Sequence, residues 1–250
     1  METSRREQQS RQEKQEGISK NHFSPSADAV IIVAAGASQR FGDDKLMVLL
    51  QGRPLISYSL QTFLDLPSIA EIILVVTPGR EAVFAALDLP GLDRKIKIVP
   101  GGKNRHESVQ RGLESLSSNI EWVAIHDGAR PLVSRSMMEL IFQKAREHGA
   151  ATLAAPVVDT LHRASPDQVA ETTVDRTHLW AMQTPQVFRK ADLMSLPSWK
   201  ENKNFTDEVS AFLQCGKKVY LVENREPNIK VTYPADLKIV SALLSVSRKQ

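Results

Sequence analysis

The chain has 250 residues, a net charge of +3, 42% hydrophobic and 24% charged residues, and a single cysteine, Cys215. That length and balance suit one globular domain with a real core, and the small basic excess points to anionic ligands. They exclude an intrachain disulfide, a cysteine-built metal cluster, a membrane-spanning apolar stretch and the Lys/Arg runs of a nucleic-acid binder, and they fit a reducing, cytoplasmic compartment. Residues 1–27 read as a disordered extension. Met1 to Lys20 is almost free of apolar residues and cannot bury enough surface to offset its ordering entropy. It lacks the apolar segment of a secretory signal, and its glutamates argue against a transit peptide. Residues 28–250 read as a single domain.

From residue 29 the rhythm is strand, loop, helix. Ala29–Val33 is a buried β-branched strand, and Leu55–Leu64 has helical spacing with Pro54 at its first turn. Glu71–Thr77 is a second buried strand, stopped by Pro78-Gly79, and Arg80–Leu87 a short helix. Lys95–Val99 reads as an edge-like strand, Glu107–Ser117 as a helix, Glu121–His126 as a strand and Ser136–His148 as a helix. Such alternation predicts an α/β fold: a Rossmann-like, mostly parallel sheet with right-handed crossovers and helices on both faces. After Gly149 the pattern changes. Thr152–Val158, Leu161–Arg163, Glu171–Asp175 and Gln186–Phe188 are all extended, as a protruding β-arm at about residues 155–185 inserted between sheet elements would be. Asp207–Leu213 returns to helix, Lys218–Glu223 to strand, and Pro234–Leu244 closes with a helix.

Four segments carry candidate chemistry. The first strand runs into Ala34, Ala35 and Gly36, where small side chains let backbone N–H groups face phosphate oxygens; Arg40 and Lys45 then supply cations. Loops of small residues after strands also commonly bind nothing. This one is neither a P-loop nor a Gly-x-Gly-x-x-Gly fingerprint. Gly101-Gly102 with Arg105 and Ser108 is either an ordinary turn before a helix, with Asn104 or Ser108 near its start, or a loop that brings Ser108 and Arg105 to the edge of a base. In His126-Asp127-Gly128-Ala129-Arg130-Pro131, Asp127 attends a metal, a sugar hydroxyl or a catalytic cation, or merely caps a turn and pairs with Arg130. His126 reads as a packed strand-end histidine. Lys230, between Ile229 and Val231, does not read as a solvated surface lysine, whereas Arg176 locally does. Thr206-Asp207-Glu208 reads as a helix start capped by Thr206. There is no hydrolase elbow and no His-Glu-x-x-His zinc pattern.

Taken in order, these segments, together with Pro156-Val157-Val158-Asp159-Thr160, Val174-Asp175-Arg176, Trp180, Gln183-Thr184-Pro185-Gln186 and Asn228-Ile229-Lys230-Val231-Thr232, resemble the 2-C-methyl-D-erythritol 4-phosphate cytidylyltransferases of the non-mevalonate isoprenoid pathway. The resemblance spans about residues 28–244. It implies one nucleotidyltransferase domain that forms a homodimer through the β-arm. It also implies transfer of CMP from CTP to a sugar-alcohol phosphate with release of pyrophosphate. On that basis Arg40 and Lys45 would contact the triphosphate and stabilise the transition state. Arg176 (from the neighbouring protomer) and Lys230 would position the acceptor, with Thr160, Asp127 and Arg130 beside it. Ala34, Ala35, Gly36, Gly102, Arg105 and Ser108 would hold the nucleotide. Mg²⁺ would arrive mainly on the CTP triphosphate, with no side-chain metal ligands assigned.

Two rivals accompany that reading: a ribitol-5-phosphate cytidylyltransferase, and a catalytically silent nucleotide-binding protein. One departure from the family pattern falls at Phe41-Gly42-Asp43-Asp44-Lys45, which is short and acidic. There Asp44 is expected either to damp the positive field at the phosphates or to help recruit the metal.

Overall fold

The computed structural model describes residues 27–36, 41, 44–89, 91, 95–197 and 205–247. Arg40 and nearly all of the expected N-terminal extension lie outside the described residues; Ala27, assigned above to that extension, instead begins the first strand.

A seven-stranded sheet organises the domain. Its centre is β1 (Ala27–Ala34), paired in parallel with β4 (Ile69–Val76) on one side and β6 (Ile120–Asp127) on the other. Beyond β4, after the short helix α2 (Glu81–Ala85), lies β5 (Ile96–Pro100), also parallel and at the sheet edge. On the far side of β6 come β10 (Trp180–Arg189), β7 (Ala150–Pro156) and β11 (Tyr220–Glu223). The chain moves outward from β1 to β5 and then jumps back to place β6 on the other flank. Open α/β sheets bind ligands at such a reversal, beside the carboxyl ends of the strands.

Period-two alternation splits β1 between two cores. Val30, Ile32 and Ala34 face one layer, where α1 (Ile56–Leu64) contributes Leu60 and Phe63 and α4 (Arg135–His148) contributes Met137, Ile141 and Phe142. Ala29 and Ile31 face the other, covered by Val109 and Leu113 of α3 (Arg105–Glu114), Leu193 of α5 (Lys190–Met194) and Phe212 of α6 (Glu208–Gln214). Burial on both faces is why the central strands read as unbroken apolar runs. Each fully buried Ile or Leu in these layers contributes about 1.5–3 kcal/mol. The last helix, α7 (Pro234–Ser247), packs Val240 onto the first layer. Among the described residues, no helix is long and apolar enough to cross a membrane.

Three features differ from the sequence expectations. Leu49–Leu50 and Arg53–Pro54 form a hairpin, β2–β3, whose two turn residues both have positive φ, 49° at Gln51 and 81° at Gly52. Two-residue turns of that hand suit the twist of antiparallel strands, and strands this short leave no periodic signal. Pro54 therefore ends a strand rather than opening the helix, which starts at Ile56. The second difference is β10, which is ten residues long and antiparallel to both β6 and β7. Between β7 and β10 the chain makes a separate antiparallel hairpin, β8 (Leu161–Ala164) and β9 (Ala170–Val174), with mostly exposed side chains. That excursion reverses the chain direction, so the alternation that predicted parallel strands stops there. The third is the short helix Lys190–Met194, which had no expectation and follows β10 directly.

Candidate active site

At the carboxyl end of β1, Val33, Ala34, Ala35 and Gly36 line a pocket of about 290 Å³. The chain after β5 closes against this floor. The Gly101 N–H donates to the Val76 carbonyl at 2.7 Å, and a Cβ built at Gly101 would lie 2.5 Å from Ala35 Cβ and 2.9 Å from Ser108 Oγ. Only glycine permits that approach. The loop is then fixed by its own hydrogen bonds. Asn104 Oδ1 caps α3 by accepting from the Glu107 N–H at 2.8 Å, and Glu107 Oε2 accepts from the Lys103 N–H at 2.9 Å. Ser108 Oγ accepts from the Gly102 N–H at 3.1 Å and donates to the Asn104 carbonyl at 2.8 Å. The segment is a capped helix start, and Arg105 and Ser108 line the pocket. Gly102 is not among the lining residues; its amide serves Ser108.

Opposite this floor, the end of β6 carries Asp127, only 8% exposed. Its Oδ2 lies 2.7 Å from Lys230 Nζ and 3.7 Å from Arg130 Nε, and its Oδ1 lies 3.4 Å from Arg105 Nε. Burial alone would raise this carboxyl, but Arg105, Lys230 and Arg130 outweigh it and hold it well below the usual carboxylate range. Asp127 is therefore a fixed anion that organises three cations. Arg105 is also gripped by buried Glu208, whose oxygens lie 2.7 and 2.9 Å from Nη1. Burial works against the charge on Arg105, yet Glu208 and Asp127 leave its affinity for the proton above the ordinary value. Arg130 sits behind the pocket, its Nη1 donating to the Asn228 carbonyl at 2.7 Å. Burial pulls the Arg130 guanidinium below its usual value, with Asp127 opposing.

His126 faces the core layer under α1, edge-on to Phe63 at 5.1 Å. Its Nε2–H donates to the Arg130 carbonyl at 3.2 Å, and its Nδ1 accepts from the Thr184 hydroxyl at 3.3 Å, while that hydroxyl accepts from the Asp127 N–H at 3.0 Å. Complete burial pushes the imidazole down to about 3. The folded state thus refuses a proton that the unfolded chain accepts, so His126 contributes stability above its unfolded value and loses it as the pH falls. The loss is about 1.4 kcal/mol per pH unit, or about 2 kcal/mol between about pH 6.5 and pH 5. Replacing His126 by Gln should remove most of that slope; urea unfolding of both proteins at about pH 7 and about pH 5 checks it.

Lys45 and Leu46 close another side of the pocket. The acidic neighbour Asp44 is paired with Arg80, in the turn after β4. Thr160 and Arg176 are not among the lining residues. Both are exposed in the segments flanking the β8–β9 hairpin, and Arg176 Nη1 donates to the Val158 carbonyl. The cap of α6 is Asp207, not Thr206: Asp207 Oδ1 accepts from the Ser210 N–H at 3.0 Å. Three contributors gave no separate sequence signal. Glu208 hid inside a helix-start motif, while Gln183 and Asn228 join side chain to side chain at 3.1 Å to tie β10 to the Lys230 segment. Among the described residues, no group of three or more His, Cys, Asp or Glu side chains is placed to hold a metal ion.

Comparison with known proteins agrees with this geometry. Residues 29–246 match the family described as IspD, 2-C-methyl-D-erythritol 4-phosphate cytidylyltransferase. A protein of that name from Desulforamulus reducens is 38% identical over 220 residues, covering 86% of this chain and 94% of the relative. One from Bacillus licheniformis is 36% identical, with 88% and 96% covered. The crystal structure of the Thermus thermophilus protein of the same name superposes with a TM-score of 0.73 at 32% identity, covering 87% of this chain and 98% of that one.

Proposed function

Because the chain belongs to the 2-C-methyl-D-erythritol 4-phosphate cytidylyltransferase family, we propose that this pocket transfers CMP from CTP to 2-C-methyl-D-erythritol 4-phosphate, as a step of isoprenoid biosynthesis. The observation that carries the reading is the convergence of Ala34–Gly36, Lys45, Arg105, Ser108, Asp127 and Lys230 on one pocket, from segments far apart in the chain. A phosphate oxygen of the acceptor attacks the α-phosphorus of CTP. The new P–O bond forms as the α–β bridging bond breaks, and pyrophosphate leaves with the electron pair. The nucleophile is already an anion, so no general base is needed. The task is to hold two polyanions in line and stabilise the charge that moves to the leaving group.

Lys45 faces the triphosphate, as does Arg40, which is carried here by the family resemblance alone. Backbone at Ala34–Gly36 and the Ser108 hydroxyl hold the nucleotide. Lys230, aligned by Asp127, takes the acceptor phosphate, with Arg130 stiffening the segment behind it. Asp127 is the one carboxylate among the described lining residues, and its oxygens are engaged by Arg105, Lys230 and Arg130. This donor set fits a triphosphate that brings its own Mg²⁺ rather than a cage of side chains. When bound, Mg²⁺ supplies further neutralisation of phosphate charge.

Arg176 and Thr160 reach a pocket across a homodimer, on the exposed segments around the β8–β9 hairpin. Mixing inactive Lys45→Ala and Arg176→Ala proteins then restores activity, because each heterodimer contains one intact site. Random reassociation gives about a quarter of wild-type activity. Heterodimers without activity would exclude the shared site. The function itself is tested by following pyrophosphate release from CTP and Mg²⁺ with each acceptor supplied separately. Turnover with methylerythritol phosphate is expected. Preference for ribitol 5-phosphate, or release with neither, would overturn the assignment.

A further inference from the structure

The proposed chemistry leaves a buried charge beside the pocket without a role. Glu208, 1% exposed, sits at the start of α6 on the opposite side of Arg105 from Asp127. A carboxylate taken so fully out of water is costly unless its partner repays it. Its backbone is held from two directions. Asp207 Oδ1 caps the helix, and Asp207 Oδ2 accepts from Gln186 Nε2 at 2.9 Å, anchoring α6 to β10. The object held is equally constrained. Arg105 is the first residue of α3, where the helix dipole disfavours a cation, so without a counterion its side chain would be driven toward any nearby anion.

Resting on the cytidylyltransferase reading, we infer that Glu208 is a positioning residue for the transfer: it fixes Arg105 so that Asp127 is left free to hold Lys230 against the acceptor. The distances show how the charge is divided. Glu208 takes both of its contacts on Arg105 Nη1, at 2.7 and 2.9 Å, and so turns that nitrogen away from Asp127, whose Oδ1 meets Arg105 through Nε alone, at 3.4 Å. Asp127 Oδ2 stays with Lys230 at 2.7 Å. Once Glu208 is neutral, the Arg105 fork turns onto Asp127, whose two oxygens match it, and Lys230 loses its guide. Glu208 itself touches no substrate; it acts through Arg105.

The test compares wild type, Glu208→Gln, Arg105→Met and the double variant. Glu208→Gln keeps the shape and removes the charge. It should lower kcat/KM for the acceptor about 10- to 100-fold. Because Glu208 works through Arg105, the double variant should be no worse than Arg105→Met alone. Hydrogen exchange at Arg105 Nε–H, assigned by its loss in Arg105→Met, should slow about tenfold or more in Glu208→Gln, as the fork closes on Asp127. If Glu208→Gln does not fold, Glu208→Asp, which keeps the charge but shortens the reach, carries the same comparison. Unchanged Nε–H exchange, or losses that multiply in the double variant, would overturn the inference. A wild-type chain without turnover would instead overturn the cytidylyltransferase reading, and the exchange measurement would still decide the role of Glu208.

Discussion

Replacing Lys45 by Ala is expected to lower kcat by about 10²- to 10³-fold, the cost of removing one preorganised charge from a developing anion. Lys45 is half-buried on the pocket wall, beside the small-residue floor of β1. Its ammonium gains most as negative charge moves onto the departing pyrophosphate, so the loss falls on kcat more than on KM for CTP. The fold should be spared, because Lys45 lies outside both core layers and substitutions at such positions usually change stability by about 0.5 kcal/mol or less. Steady-state kinetics with a parallel thermal melt separate the two effects. Near-wild-type kcat in a folded Lys45→Ala protein would remove Lys45 from the chemistry.

Asp127→Asn should be as damaging to activity and, unlike the lysine change, should also destabilise the protein. The amide keeps the shape but leaves Arg105 and Arg130 without a shared anion in a confined site. Breaking a buried pair costs about 3–5 kcal/mol; with Lys230 40% exposed and partly screened by solvent, about 2–3 kcal/mol is the better expectation. The sign with pH follows from the depressed carboxyl. Asp127 contributes stability above the ordinary carboxylate value of about 3.9 and loses it as the pH falls toward the native value. The deficit of Asp127→Asn should therefore be full at neutral pH and shrink in strong acid. Urea midpoints across the acid range check this, alongside a kcat reduced by about 10²-fold. A constant deficit down to the acid limit would mean that the charge is not what Asp127 contributes.

Much of this architecture is legible in the sequence because physical constraint writes it there. β1, β4 and β6 are covered on both faces and so must be continuous apolar runs, and Asn104 and Ser134 cap helices from residue types that do so routinely. Lys230 stood out as a lysine between two apolar neighbours; it is exposed after all, 40% by side chain, yet held by Asp127 at the pocket. What stayed hidden depends on contacts between distant segments. The reversed direction of β10 follows from the hairpin before it, not from any periodicity of its own. Glu208 looked like an ordinary first-turn acid, since nothing local says that Arg105, far back in the chain, lies above it. Gly101 is required by Ala35 and Ser108 in space, although the sequence presents only a turn. The pairing of Asp44 with Arg80, from the turn after β4, has no local signal either. For Arg176 local sequence offers only a solvated charge, and its proposed role depends on a second copy of the chain.

The central claim is that the carboxyl end of β1 is where CTP sits, and a crystal structure with CTP and Mg²⁺ tests it most directly. The account predicts the triphosphate against the backbone of Ala34, Ala35 and Gly36 within reach of Lys45, and the base beside Ser108, with Asp127 still holding Lys230 for the acceptor. A nucleotide bound away from this pocket, or one entering it with its phosphates turned from Lys45, would contradict it.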